Sequence, residues 1–353
     1  MTMRFINSRL NPSGVERLFR IEPDRPLAML RLCPAYAATP LQLMPEFAAG
    51  LGIGALMVKD ETQRMRLGSF KALGGVFAVA QMIEDASGAS DLNSEHARQT
   101  AANMTFITAS AGNHGLSVAA GAHIFGARGI IVLSSAVPEG FAERIRNTGA
   151  EVVRVDGSYE DSVRYAVDAA DRNGWLLLAD GSWEGYTERP ALVMEGYSVI
   201  ADECRAKFVK TRDWPTHVFV QAGVGGLAAA MAAHIRQHWP AQPQIIVVEP
   251  DAAPCLLQSA KAGILLRAEG PQSNMGRLDC KDASLIAFEA LRHDADLFMT
   301  VSDTDAKAAT RQFASHGIQT TPSGAAPLAA LQELDPGPEA RCLLIATEGP
   351  ETA

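Results

Sequence analysis

Lys71 is the residue whose chemistry organises this chain. It stands in Gly68-Ser69-Phe70-Lys71-Ala72-Leu73-Gly74-Gly75, just past a charged strand end, Val58-Lys59-Asp60-Glu61. Taken alone, a lysine belongs on the surface. Buried beside a carbonyl compound, it can spend part of its time neutral and form an imine. Two further segments have matching chemistry. Ser110-Ala111-Gly112-Asn113-His114-Gly115 follows the apolar run Thr105-Phe106-Ile107-Thr108. Gln221-Ala222-Gly223-Val224-Gly225-Gly226-Leu227 follows His217-Val218-Phe219-Val220.

Glycines between a strand and a helix let the backbone approach an anion, and the helix N-terminus aims N–H groups at it. The run Gly223, Val224, Gly225, Gly226 is neither a GxGxxG fingerprint nor a P-loop with its Lys-Ser/Thr, and alone it is equally a tight turn. Asn113 and His114 open another strand-to-helix turn. A short amide there can donate to a phenolate-like oxygen. The N–H groups around it, with Ser110, Ala111 and His114, can hold a substrate carboxylate. The plainer reading of the same pair is an N-cap beside a buried, satisfied histidine. An amine, a polar loop and an anion cradle together describe a site for pyridoxal 5'-phosphate.

The elements that must position these groups are short apolar strands alternating with Ala- and Leu-rich helices. Strands are expected at 55–58, 106–108, 129–133, 152–155, 176–178, 218–220, 244–248 and 342–346. Helices are expected at 115–125, 141–148, 159–173 and 227–238. Strands apolar throughout suit parallel sheets covered on both faces, and the alternation predicts a doubly wound α/β fold. The polar stretch 85–99 reads as a surface loop or frayed helix.

The chain has 353 residues, enough for two domains. Its net charge of -9, without a basic run, argues against nucleic acid as a partner. No apolar stretch is long enough to span a bilayer, and the first residues lack a secretory core. The five cysteines form no CxxC pair and no zinc pattern, so no metal is expected and a cytoplasmic location is the default.

On these motifs the chain resembles the fold-type II pyridoxal-phosphate enzymes, the tryptophan synthase β and threonine dehydratase superfamily. The resemblance runs in order from Thr39-Pro40-Leu41 to Ser323-Gly324-Ala325-Ala326. Within the superfamily the chain is most similar to the diaminopropionate ammonia-lyases. The most specific carrier is Asp180-Gly181-Ser182-Trp183-Glu184-Gly185-Tyr186-Thr187, followed by Met194-Glu195-Gly196-Tyr197. Pro215-Thr216-His217 and Val248-Glu249-Pro250-Asp251 extend it.

The resemblance implies two doubly wound domains with the cofactor in the cleft between them. Residues 1–79 plus 191–353 would form the large domain, and residues 80–190 the small one. It implies that Lys71 binds the cofactor covalently, that Asn113 contacts its ring oxygen, that Gly223 to Gly226 hold its phosphate, and that Ser323 faces its ring nitrogen. A hydroxyl there cannot enforce a full positive charge on the ring, which suits β-elimination over transamination. Asp180 or the freed Lys71 would take the Cα proton, Asp180 would also manage the proton on the leaving group, and Trp183 would stand beside the substrate. An Asp after an apolar strand is also a common N-cap. The resemblance pairs Cys255 with Cys280, and sequence alone leaves open whether they meet. The ammonia-lyases carry an Asp directly before Gly-Asn-His-Gly, whereas this chain has Ala111, as threonine dehydratases do. The expectation is a homodimeric ammonia-lyase performing α,β-elimination on a small L-amino acid, foremost 2,3-diaminopropionate. A dehydratase of serine, threonine or another 3-hydroxy amino acid is the alternative, and a non-catalytic cofactor-binding protein the reading from another class.

Overall fold

A computed structural model describes residues 2–8 and 17–350. Among the described residues eleven strands are present: β1 (Arg4–Ile6), β2 (Leu41–Leu43), β3 (Ala55–Asp60), β4 (Thr105–Ala109), β5 (Arg128–Ser134), β6 (Glu151–Val155), β7 (Leu176–Leu177), β8 (His217–Gln221), β9 (Gln244–Pro250), β10 (Leu297–Val301) and β11 (Arg341–Ala346). They form a seven-stranded sheet in the order β1-β10-β9-β8-β11-β3-β2 and a four-stranded sheet in the order β6-β5-β4-β7. All pairings are parallel except at the edges of the larger sheet, where β1 and β2 run antiparallel to their neighbours.

Side chains along the central strands go alternately to two different cores. Met57, Val218, Val220, Ile245, Val247, Leu343 and Ile345 enter one core, and their neighbours Leu56, Val58, Phe219, Ile246, Val248 and Leu344 enter the other. A parallel sheet buried on both faces needs apolar residues at every position. The smaller sheet behaves alike: Ile107, Ile130 and Val132 lie on one side, Phe106, Ile131 and Leu133 on the other. The doubly wound α/β architecture follows from that uniform apolarity.

The expected strands and helices are present, with ends shifted by a residue or two. Three strands were not anticipated. β1 and β2 are three-residue edge strands. β10 follows the helix Leu285–Asp294 so closely that its apolar run reads as a continuation of the helix. The stretch 85–99 is not a loop throughout. The helix Lys71–Ser87 ends at Gly88 in the left-handed region, and Ser94 caps a second helix, Glu95–Ala102, accepting a hydrogen bond from the Ala97 N–H.

The functional segments all leave the carboxyl ends of parallel strands, where ligands of open α/β sheets bind. Lys71 lies beyond β3, Asn113 beyond β4, Asp180 beyond β7, the glycine turn beyond β8 and Glu348 beyond β11.

Candidate active site

The backbone between β3 and Lys71 is held from below by charge. Arg64, fully buried, donates to both carboxylate oxygens of Glu61 at 2.6 and 2.7 Å and to Glu203 at 2.8 and 2.9 Å. Lys59 donates to Glu203 at 2.5 Å and to the Thr39 carbonyl at 2.7 Å. Met65 and Arg66 adopt φ of 50° and 58°, left-handed values that are rare without glycine. The chain then reaches Ser69, whose hydroxyl accepts from the Lys71 N–H at 3.3 Å, and Lys71 opens the helix Lys71–Ser87.

The Lys71 amine forms an ion pair with Asp180 across the cleft, each side chain about a fifth exposed. Burial alone would lower the amine's pKa. The Asp180 charge outweighs burial and holds Lys71 above the ordinary lysine range. Burial alone would raise Asp180, and the Lys71 charge holds it below the carboxylate range. A carboxylate that depends on one cation is a latent base.

The loop carrying Asp180 explains its unusual sequence. The Tyr186 hydroxyl donates to the Leu177 carbonyl at 2.9 Å and accepts from the Ala179 N–H at 3.1 Å, tying the loop to β7. Trp183 stacks on Tyr186 with ring centroids 4.4 Å apart. The Ser182 and Ser284 hydroxyls are 2.7 Å apart, which fastens the loop to the segment before the helix Leu285–Asp294. Asp180 is thus positioned by its own loop rather than acting as a helix cap. It lines a cavity of about 760 Å³ with Thr108, Tyr159, Trp183, Val224 and Cys280.

The glycine turn suits an anion. Gly225 has φ +100°, which favours glycine, and the helix Gly226–His238 starts with no side chain capping its first N–H groups. A Cβ on Gly223 would lie 2.9 Å from the Cys280 sulfur, and the Cys255 thiol donates to the Gly223 carbonyl at 3.6 Å. Both thiols are free. An uncapped helix start at a glycine turn, with a lysine amine paired to one carboxylate nearby, fits pyridoxal phosphate.

The remaining residues are distributed as follows. The Asn113 amide donates to Glu348 at 2.7 Å, a partner not foreseen from sequence. Thr321 donates to the same carboxylate at 2.7 Å. The His114 Nε2 lies 2.8 Å from the Leu178 carbonyl, burial holds the imidazole pKa below its ordinary value, and Nδ1 has no partner among the described residues. Ser323, on the helix Pro322–Leu334, accepts from the Arg277 N–H at 3.1 Å. Gln221 ties this helix to β11 through the Ser323 and Ile345 carbonyls at 3.3 and 3.0 Å. Ser110 accepts from the Gly112 N–H at 3.3 Å, and Ala111 is half-buried against the main core. Sequence reasoning did not single out Glu348, Thr321, Arg277 or Ser284. Each reaches the site from a strand end or loop remote in sequence, and no local motif marks them.

An amine paired with one carboxylate, near an uncapped glycine turn at the carboxyl edge of a parallel sheet, is the arrangement a fold-type II pyridoxal-phosphate enzyme would need. Residues 32–348 match the model of the pyridoxal-phosphate dependent enzyme family, and the chain belongs to that family. It is 34% identical over 274 residues to diaminopropionate ammonia-lyase of Escherichia coli K12, covering 76% of this chain and 69% of that one. The crystal structure of the Escherichia coli enzyme with an aminoacrylate–pyridoxal phosphate azomethine intermediate superposes with a TM-score of 0.88 at 28% identity, over 99% of this chain and 94% of the other. The same enzyme with D-serine gives a TM-score of 0.87 at the same identity and coverage.

Proposed function

We propose that this chain is a pyridoxal-phosphate dependent ammonia-lyase that performs α,β-elimination on 2,3-diaminopropionate, yielding pyruvate and ammonia. The pairing of Lys71 with Asp180 opposite the glycine turn carries this reading. When bound, the cofactor supplies the electron sink that stabilises charge at the substrate Cα. Lys71 binds it covalently. The N–H groups of Gly223, Val224, Gly225 and Gly226 orient its phosphate, Asn113 its ring oxygen, and Ser323 its ring nitrogen. Asp180, freed of its ammonium partner, moves a proton at Cα or at the leaving amine. Ser110, Ala111 and His114 flank the substrate carboxylate, and Trp183 closes the mouth. Ala111 carries no ionisable group, so acid–base chemistry is left to Asp180 and the freed Lys71, and the resemblance assigns the Asp180 role to the L substrate. We assign a preference for the L enantiomer on that ground.

The domains we assign are 1–79 plus 191–353 and 80–190, with 1, 9–16 and 351–353 outside the described residues. We further assign a homodimer acting in the cytoplasm, with no nucleic-acid partner. Among the described residues no helix is long and apolar enough to cross a membrane. A dehydratase of serine, threonine or a related 3-hydroxy amino acid is the second reading, and Ala111 is the observation that favours it. Pyruvate and 2-oxobutyrate release from a panel of L- and D-amino acids separates the two. Fastest release from L-2,3-diaminopropionate is the expected result. Fastest turnover of a hydroxy amino acid would replace the first reading with the second.

A further inference from the structure

The helices Lys71–Ser87 and Glu188–Thr211 cross unusually closely. A Cβ on Gly196 would lie 2.7 Å from the Leu73 carbonyl and 2.8 Å from the Gly74 Cα, so this crossing admits only glycine. The adjacent residue, Tyr197, is thereby pushed under the start of the lysine helix. Its ring takes the space above Gly74, whose own Cβ would lie 2.4 Å from a Tyr197 ring carbon. It also borders the phosphate turn, 3.7 Å from where a Gly226 Cβ would be. The ring meets Phe70 edge to face, centroids 4.9 Å apart. The Lys71 ammonium lies 5.2 Å from the Phe70 centroid and 5.4 Å from that of Tyr197. Two aromatic rings and one carboxylate therefore enclose the amine.

The Tyr197 side chain is 1% exposed, and its hydroxyl has no hydrogen-bond partner of proper geometry among the described residues. A buried hydroxyl without a partner costs about 1–3 kcal/mol, so its retention next to a reactive amine asks for a reason. Burial pushes the phenol well above its ordinary pKa; the neighbouring Lys71 charge lowers it and the Asp180 charge raises it without reversing that direction, so it stays neutral and can both donate and accept. Asp180 cannot hold the Lys71 ammonium while it transfers a substrate proton. Lys71 would then be left as a buried amine without a polar partner.

We propose that Tyr197 is a positioning residue that holds the Lys71 nitrogen when Asp180 releases it, accepting from the ammonium and donating to the neutral amine. The inference rests on the reading of Lys71 as the cofactor's amine, and its test separates the two. Tyr197→Phe keeps the ring and removes only the hydroxyl. In cofactor-free protein carrying Asp180→Ala, where no carboxylate holds the amine, adding Tyr197→Phe should shift the midpoint of Lys71 labelling by an amine-reactive reagent, read against pH and followed by peptide mass, down by about 1 unit, the loss expected for a hydrogen bond to a charged group. In the cofactor-loaded protein, the visible absorbance against pH should shift in the same direction, and turnover should fall about 10-fold with KM little changed. Thermal stability should hold or rise, because an unpaired buried hydroxyl is gone. Tyr197→Leu removes the ring as well and should lower the midpoint further. An unmoved Lys71 midpoint on adding Tyr197→Phe to the Asp180→Ala protein overturns the proposal, whether stability falls or not. If the cofactor attaches to a different lysine, the functional reading fails while the labelling of cofactor-free protein still reports on Tyr197.

Discussion

Two lysines on the same side of the larger sheet are paired with carboxylates in opposite ways. Lys59 belongs to a buried cluster with Glu61, Arg64, Glu203 and Thr39, in which two cations face two anions and nearly every donor is used. Its side chain is 1% exposed. Lys71 has one carboxylate partner, an open cleft, and an unpaired phenol beside it. The first arrangement can only be held or broken. The second can exchange partners without leaving a charge unanswered for long. A saturated network positions, and an unsaturated one reacts. The turn at Met65 and Arg66, with its left-handed φ values, joins the two.

The largest expected effect is at the reactive lysine. Lys71→Ala should lose both the covalent adduct and turnover down to background, whereas Lys59→Met should leave the adduct on Lys71 in whatever protein folds. Visible absorbance before and after borohydride shows which lysine carries the adduct.

The next is Asp180→Asn, for which turnover should fall about 10²–10⁴-fold, the usual contribution of general acid–base catalysis, with cofactor still bound. An Asp180→Asn protein as active as the wild type would remove Asp180 from the chemistry.

In the saturated cluster the loss should appear as stability. Glu203→Gln should cost about 3–5 kcal/mol in urea unfolding, because it leaves buried cations uncompensated. Burial would raise Glu203, and Arg64 and Lys59 outweigh it, so its folded pKa lies below the ordinary glutamate value. Its stabilisation is therefore present at neutral pH and fades as pH falls through the folded value. Unfolding free energy measured from pH 7 downward should slope less steeply in Glu203→Gln. An unchanged acid limb would mean the cluster is not coupled as described.

The smallest expected effect concerns enantiomers. Ala111→Asp should add weak turnover of D-2,3-diaminopropionate, offset by the cost of a new half-buried carboxylate. Equal wild-type rates on both enantiomers would require a second base on the Ala111 face.

Much of this site was legible in sequence because it is local. Strand-then-glycine and strand-then-Asn-His turns have signatures a few residues long, and uniform apolarity revealed strands buried on both faces. The Trp183 and Tyr186 segment was legible as a motif, although its purpose, pinning the Asp180 loop to β7, needs coordinates. What stayed hidden is set by crossings. Tyr197 is visible in sequence only as the end of Met194-Glu195-Gly196-Tyr197, and only the glycine contact between two helices distant in sequence places it beside Lys71. Glu348 reaches Asn113 because β11 ends near β4's turn, and nothing near either residue in sequence records that. β10 was hidden because five apolar residues after a helix carry no period of their own.

The central claim is that Lys71, and not the saturated Lys59, is the amine that reacts. Borohydride reduction of the cofactor-loaded protein, followed by peptide mass mapping, tests it most directly. The expected result is a reduced pyridoxyl group on the peptide carrying Ser69-Phe70-Lys71. A modified Lys59 peptide, or a protein that binds the cofactor with no reducible adduct, would contradict it.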